Sequence, residues 1–154
     1  MLENTEISTQ QAQVTAVVRG SVRMDELTAF YDRAYRTVAE ALGRQGLQPS
    51  GPAFGYYLSP PGEHIELEAG FPTVGQLTAD ADVVASELPA GEVARGTHTG
   101  SYDTLGESWG ALGQWIASQG RTPGQRLWEV YVTEPSPEMD PASLRTDLYW
   151  TLAD

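Results

Sequence analysis

Leu27, Phe30, Tyr31, Ala34, Val38, Ala41 and Leu42 recur at steps of three and four, the spacing that stacks side chains on one face of an α-helix. Leu105, Trp109, Leu112 and Ile116 repeat that spacing, so two amphipathic helices are predicted. Each pattern ends at a glycine, Gly46 or Gly120, suited to the left-handed position past a helix C-terminus. Each has a proline three residues later, Pro49 or Pro123, where a helix cannot continue. The two blocks are copies: residues 42–58 align without a gap on residues 116–132 at an offset of 74, and Gln45, Gly46, Pro49 and Tyr57 recur as Gln119, Gly120, Pro123 and Tyr131. A repeat of this kind constrains the whole fold.

Beyond each helix stop lies a short aromatic and β-branched segment, AFGYYL at 53–58 and LWEVYV at 127–132, which reads as a strand. Strand alternation splits each segment into two faces. Phe54, Tyr56 and Leu58, matching Trp128, Val130 and Val132, form the more apolar set and are expected to pack on the helices. Gly55 and Tyr57, matching Glu129 and Tyr131, fall on the other face. Second strands are expected at 64–71 and 144–152, the latter after the turn-forming stretch EPSPEMDP at 134–141. Alternation there separates Ile65, Leu67 and Ala69 from Glu66 and Glu68, and Leu148, Trp150 and Leu152 from Asp147, Tyr149 and Thr151. Strands before the helices are expected at 13–19 and 91–99, with one more near Val83 and Val84. The result is an α+β domain of two pseudo-symmetric strand-helix-hairpin halves, with the helices on one side of an antiparallel sheet and a ligand groove between the halves on the other. The domain is expected to span 13–154, after a polar, disordered tail at 1–12.

Composition narrows the function. Hydrophobic residues make up 40% of the 154 positions, enough for a folded core. Nine basic residues against 21 acidic ones give a net charge of −12, a field that repels phosphate backbones, so no direct nucleic-acid contact is expected. Absence of Cys excludes disulfides, thiolate catalysis and thiolate zinc sites, and two His leave little for a metal; neither metal nor cofactor is expected. No signal sequence or membrane-length apolar run is present, which reads as a cytoplasmic protein that makes no membrane contact.

Glu129 stands where the first half has Gly55, so the asymmetry of the repeat falls at the proposed centre. A carboxylate in an aromatic cleft is costly unless paired, and a bound cation could compensate; the alternative is a surface pair with Arg126 or Arg145. Tyr57, Tyr131 and Tyr149 could offer ring faces to a flat or cationic ligand, and Glu66 could add negative potential. Trp109 and Trp115 read as helix packing, with Trp128 and Trp150 on the helix-facing side of the sheet. His98 reads as a structural hydrogen-bonding residue, and Ser101, Tyr102 and Asp103 as the cap of a helix rather than a nucleophile site.

LPAGEVARGTHTGSYDTLGESWGALGQWIASQG at 88–120, continuing as RLWEVYVTEPSPEMDPASLRTDLYWTL, resembles the GyrI-like small-molecule-binding domain, related to effector-binding domains of AraC-type and MerR-type regulators. The matching features are the His, Gly and Tyr, the Trp-bearing helix, the W-E-x-Y strand, the D-P turn and the closing T-D-L-Y segment. The resemblance covers about residues 13–153 and implies a groove whose central carboxylate, here Glu129, meets cationic, lipophilic drugs and dyes, lined by Tyr131 and Tyr149. Tyr57 is added by the internal repeat. Asp147 departs from the more usual Glu. No helix-turn-helix precedes the domain, so a complete regulator of those classes is not expected. The leading expectation is sequestration or sensing of a planar, lipophilic, often cationic compound. A second is hydrolysis of cyclopropane-bearing alkylators, with Glu129 as base and Tyr131 or Tyr149 as proton donor. A third is an interaction protein contacting gyrase or a regulator through its acidic surface.

Overall fold

A computed structural model of the chain describes residues 2–58, 63–133 and 140–153. Its elements in order are β1 (Leu2–Gln10), β2 (Gln13–Arg23), α1 (Leu27–Arg44), β3 (Phe54–Tyr57), β4 (His64–Pro72), β5 (Val83–Leu88), β6 (Gly91–Thr99), α2 (Leu105–Ser118), β7 (Thr122–Tyr131) and β8 (Arg145–Ala153). The strands form one antiparallel sheet in the order β1-β6-β8-β7-β3-β4-β2-β5. Most of the stretch 134–141 lies outside the described residues.

The repeat is visible in the helix stops. Gly46 and Gly120 have φ of +67° and +74°, and each helix closes with the same paired bonds: Gly46 N–H to Gly43 C=O with Leu47 N–H to Leu42 C=O, and Gly120 N–H to Ala117 C=O with Arg121 N–H to Ile116 C=O. Only a residue without a Cβ enters this left-handed turn cheaply, which is why both copies have Gly there. The two copies then meet in the middle of the sheet, where β3 pairs with β7 and the equivalent residues Gly55 and Glu129 are direct partners.

Both helices cover the same side of the sheet. Phe30, Ala34, Val38 and Leu42 of α1 bury against Ala16, Val18, Ile65, Leu67 and Ala69, and Leu112 and Ile116 of α2 against Ala94 and Leu148. The faces of β4 and β8 are thus as the alternation predicts. Those of β3 and β7 are reversed: Tyr57 and Leu127 pack with the α1 core, whereas Phe54, Tyr56 and Trp128 cluster on the helix-free side with Val17, Leu88 and Val93. The physical reason is that both sides of the sheet are buried. Strand β6 is second in the sheet and β5 is eighth, yet only Pro89 and Ala90 separate them in the chain; β1 and β2, first and seventh, are joined by two residues as well. Such short connections require the sheet to curl, which brings Val17 and Leu88 from its far end against Val93, Phe54 and Trp128 on its concave, helix-free side. Apolarity therefore carries no information about which face of β3 or β7 meets a helix.

Residues 2–10, expected as a disordered tail, form edge strand β1 on β6, with Leu2 packed against the α2 core. Polar residues suit this position because an edge strand half exposed to water needs no continuous apolar face.

Candidate functional site

Reversal of the β3 and β7 faces puts Glu129 beneath the helices rather than in a groove on the open side. Its side chain is 3% exposed. Three donors converge on it: Tyr57 Oη and Tyr131 Oη donate to Oε1 at 2.5 and 2.8 Å, and Trp109 Nε1 donates to Oε2 at 3.0 Å. The Tyr31 and Tyr57 hydroxyls lie 2.8 Å apart, extending the network to α1. The short distances are those of bonds in which one partner carries charge. Among the described residues no ion pair reaches Glu129; Arg126 donates to Tyr56 on the concave side instead.

Aromatic rings enclose the carboxyl from both halves. Tyr131 meets the edges of Tyr31, Tyr35 and Tyr102 with ring centres 5.9, 6.5 and 5.7 Å away, and Tyr31 stacks on Tyr35 at 5.5 Å. Trp109 stands edge-on to Trp150 at 5.7 Å, which fixes the direction of its indole N–H. Tyr31, Tyr35, Tyr102, Trp109 and Tyr131 are half-buried and form the rim of the cage, with Glu129 at its floor.

One small residue makes room for it. A Cβ at position 55 would overlap the Tyr31 hydroxyl, so Gly55 is what lets the α1 tyrosine reach across the sheet toward Tyr57. The repeat thus splits into a site for the charge, Glu129, and a site for the ring that shields it. His98, buried behind the start of α2, has Nε2 2.9 Å from the Ser101 carbonyl, which can only accept; the ring therefore presents Nδ1 to the Ser108 hydroxyl at 2.5 Å. That bond anchors the turn of α2 carrying Trp109. Ser101 accepts from Asp103 N–H, capping the turn as the sequence suggests.

Burial pushes the Glu129 carboxyl above its ordinary 4.5, opposed by the hydrogen bonds from Tyr57, Trp109 and Tyr131 and by the nearby His98. Burial first, and the Glu129 charge second, hold Tyr31, Tyr57 and Tyr131 well above the usual phenol value, so all three remain donors at neutral pH. Because folded Glu129 holds its proton more tightly than the unfolded chain does, its contribution to stability is complete below pH 4.5 and is lost as pH rises through the elevated value. The urea midpoint of the wild type, referenced to Glu129→Gln, is expected to fall across that window and level off above it. A difference that stays constant with pH contradicts the shift.

Of the sequence-derived candidates, Glu129, Tyr57 and Tyr131 come together. Tyr149 does not: it lies on the concave face, stacked on Trp128 at 5.2 Å with the Arg95 guanidinium over its ring. Glu66 is exposed on that same side, while its neighbour Glu68 is buried and paired with Arg19 at 2.8 Å. Asp147 also faces away, accepting from Thr97. Trp109, expected as packing, is a donor to the carboxylate, and Tyr31, Tyr35 and Tyr102 complete the cage. The signal for α1 was its pair of tyrosines at 31 and 35, one helical turn apart, beside a buried face of Phe30, Ala34, Val38, Ala41 and Leu42.

Two repeated halves meeting over an enclosed carboxylate define a ligand-binding α+β domain. The chain belongs to the GyrI-like small molecule binding domain family, whose pattern matches residues 3–153. No curated protein matches the chain in sequence. Among solved structures it is similar to the EcmrR C-terminal domain, at 16% identity over 99% of both chains with a TM-score of 0.83. It is also similar to SAV2435 bound to tetraphenylphosphonium, at 10% identity over 97% of this chain and 94% of that one, TM-score 0.69. A hydrolase from Listeria innocua is 12% identical over 98% and 92%, TM-score 0.68. In the EcmrR–DNA complex, at 17% identity and TM-score 0.79, the match covers 97% of this chain and 57% of the EcmrR chain. No helix among the described residues is long and apolar enough to cross a membrane.

Proposed function

We propose that this domain binds a lipophilic, planar cation over Glu129, sequestering or sensing it. The observation that carries the reading is a buried carboxyl with no ion-pair partner among the described residues, enclosed by rings whose faces attract positive charge. Without ligand, three neutral donors and an elevated pKa keep the group tolerable; a cation supplies the charge that burial withholds. The likeness to SAV2435, bound to tetraphenylphosphonium, supports the lipophilic and cationic parts of this reading, that ligand's rings being arrayed tetrahedrally rather than in a plane.

Since the cation prefers the ionised carboxyl, its affinity is expected to rise with pH through the elevated Glu129 value, binding below that value being accompanied by proton release. Calorimetric titration with tetraphenylphosphonium across pH, in buffers of different ionisation enthalpy, tests this. Affinity that does not vary with pH, with no proton released, would remove Glu129 from the site.

A second reading is hydrolysis of an activated ring, which the raised pKa of Glu129 favours because a general base works best when poised near the operating pH. Glu129 would then draw a proton from water and Tyr131 donate to the developing oxygen anion. Turnover of a cyclopropane-bearing alkylator by purified protein separates the readings; binding without turnover leaves the first alone.

A further inference from the structure

His98 is wholly buried on the helix side of β6, and the internal repeat shows what it stands in for. Across the ladders of the first half, Tyr57 pairs with Leu67 and Leu67 with Gly20; across those of the second, Tyr131 pairs with Thr146 and Thr146 with His98. Tyr57 and Tyr131 are equivalent in the repeat, so His98 occupies the place of Gly20. Above Gly20 lies the Phe30 ring of α1, which a Cβ at position 20 would overlap. Counted along the helical segments at the offset of 74, Phe30 corresponds to Thr104, whose hydroxyl lies 3.5 Å from His98 Nε2. Each half thus puts a ring between this strand and the start of its helix. The first takes a phenyl ring from the helix, and the second takes an imidazole from the strand.

The exchange brings hydrogen bonds that a phenyl ring cannot make. Nε2–H donates to the Ser101 carbonyl at 2.9 Å, and Nδ1 meets the Ser108 hydroxyl at 2.5 Å. Ser108 is itself a polar replacement, since the same offset of 74 matches it to Ala34, and both are buried on their helices. The residues that follow Ser101 and Ser108 are Tyr102 and Trp109, the rim residues that the second half supplies from α2 and the turn before it. Trp109 has to aim its N–H at a carboxylate, whereas its equivalent in α1, Tyr35, donates to the main chain of Phe54. The direction of the indole N–H follows the rotation of α2 about its axis, and a short buried bond one residue before Trp109 fixes that rotation. Glu129 for Gly55, His98 for Gly20 and Ser108 for Ala34 are three polar replacements gathered under one helix.

We propose that His98 is a positioning residue for the cation site, holding Trp109 through Ser108 and Tyr102 through Ser101 without itself joining the rings around Glu129. The inference rests on the reading of Glu129 as a cation site. The test uses the intact protein, tetraphenylphosphonium as ligand, and the variants Ser108→Ala and His98→Phe. Ser108→Ala introduces the residue that α1 has at the equivalent place, and His98→Phe keeps a ring there without its nitrogens. Both are expected to weaken tetraphenylphosphonium binding by about fivefold or more, because the bond from Trp109 to the carboxylate loses its alignment. In heteronuclear NMR spectra of the ligand-free variants the Trp109 indole N–H signal should move, while that of Trp128, on the other face of the sheet, stays in place. An unchanged Kd in folded Ser108→Ala, or an unmoved Trp109 signal, would overturn the proposal. Lack of tetraphenylphosphonium binding by the wild type would remove the cation reading instead, and the Trp109 signal would then decide the positioning by itself. Should His98→Phe fail to fold, Ser108→Ala decides.

Discussion

Glu129→Gln is expected to weaken tetraphenylphosphonium binding at neutral pH by about 1–3 kcal/mol, the range for loss of a charge-assisted contact, or roughly 5- to 150-fold in Kd. The substitution keeps the shape of the side chain. Tyr57 and Tyr131 can still donate to the amide oxygen, but the amide nitrogen then faces the Trp109 N–H, so one of the three bonds to the carboxylate is lost. Affinity for tetraphenylmethane analogues, which share the tetrahedral array of rings without the charge, should change little. An equal loss for charged and neutral ligands would mean that the amide disturbs the cage rather than removing an electrostatic contact. Isothermal titration of both variants with both ligands distinguishes these outcomes.

Gly55→Ala is expected to destabilise the fold by about 1–3 kcal/mol, as overpacked positions do, although the new methyl group is small and the strand conformation ordinary. The added Cβ occupies the place of the Tyr31 hydroxyl, and Tyr31 is held between Tyr35, Tyr57 and Tyr131, leaving it little room to retreat. Urea denaturation measures the effect. The double variant Gly55→Ala with Tyr31→Phe should recover part of the loss, because the phenyl ring lacks the overlapping oxygen. Wild-type stability for Gly55→Ala would show that Tyr31 does not depend on that space.

The order of elements was legible because helix and strand periods are local properties, and the helix stops because a left-handed residue followed by proline has few other uses. The repeat located Glu129 for the same reason: Gly55 and Glu129 occupy equivalent positions, and they turn out to be direct partners across β3 and β7. What failed was the choice of face. Ranking Phe54 and Tyr56 as core was correct, since both are buried, but helix contact was inferred from apolarity, and the curled sheet buries its helix-free side too. The signal available was the pair of short links, Leu88 to Gly91 and Gln10 to Gln13, whose consequence depends on strand order and so on long-range pairing. The same error grouped Tyr149 with Glu129: Tyr149 lies on the helix-free face as expected, whereas Glu129, the partner of Leu148, lies on the helix face. Trp109 escaped notice since helical spacing marks a buried face without showing that an indole N–H points at a carboxylate. Polar strand β1 carried no period to read, and it forms because β6 offers it an edge.

The most direct test of the central claim is a crystal structure of the domain with tetraphenylphosphonium. The ligand is expected between α1 and α2, its phenyl rings against Tyr31, Trp109 and Tyr131 and its phosphorus centred over the Glu129 carboxylate at about 4–6 Å, the separation at which an opposite charge still shifts the carboxyl pKa. Density for the ligand elsewhere, with the bonds from Tyr57, Tyr131 and Trp109 to Glu129 intact, would contradict it.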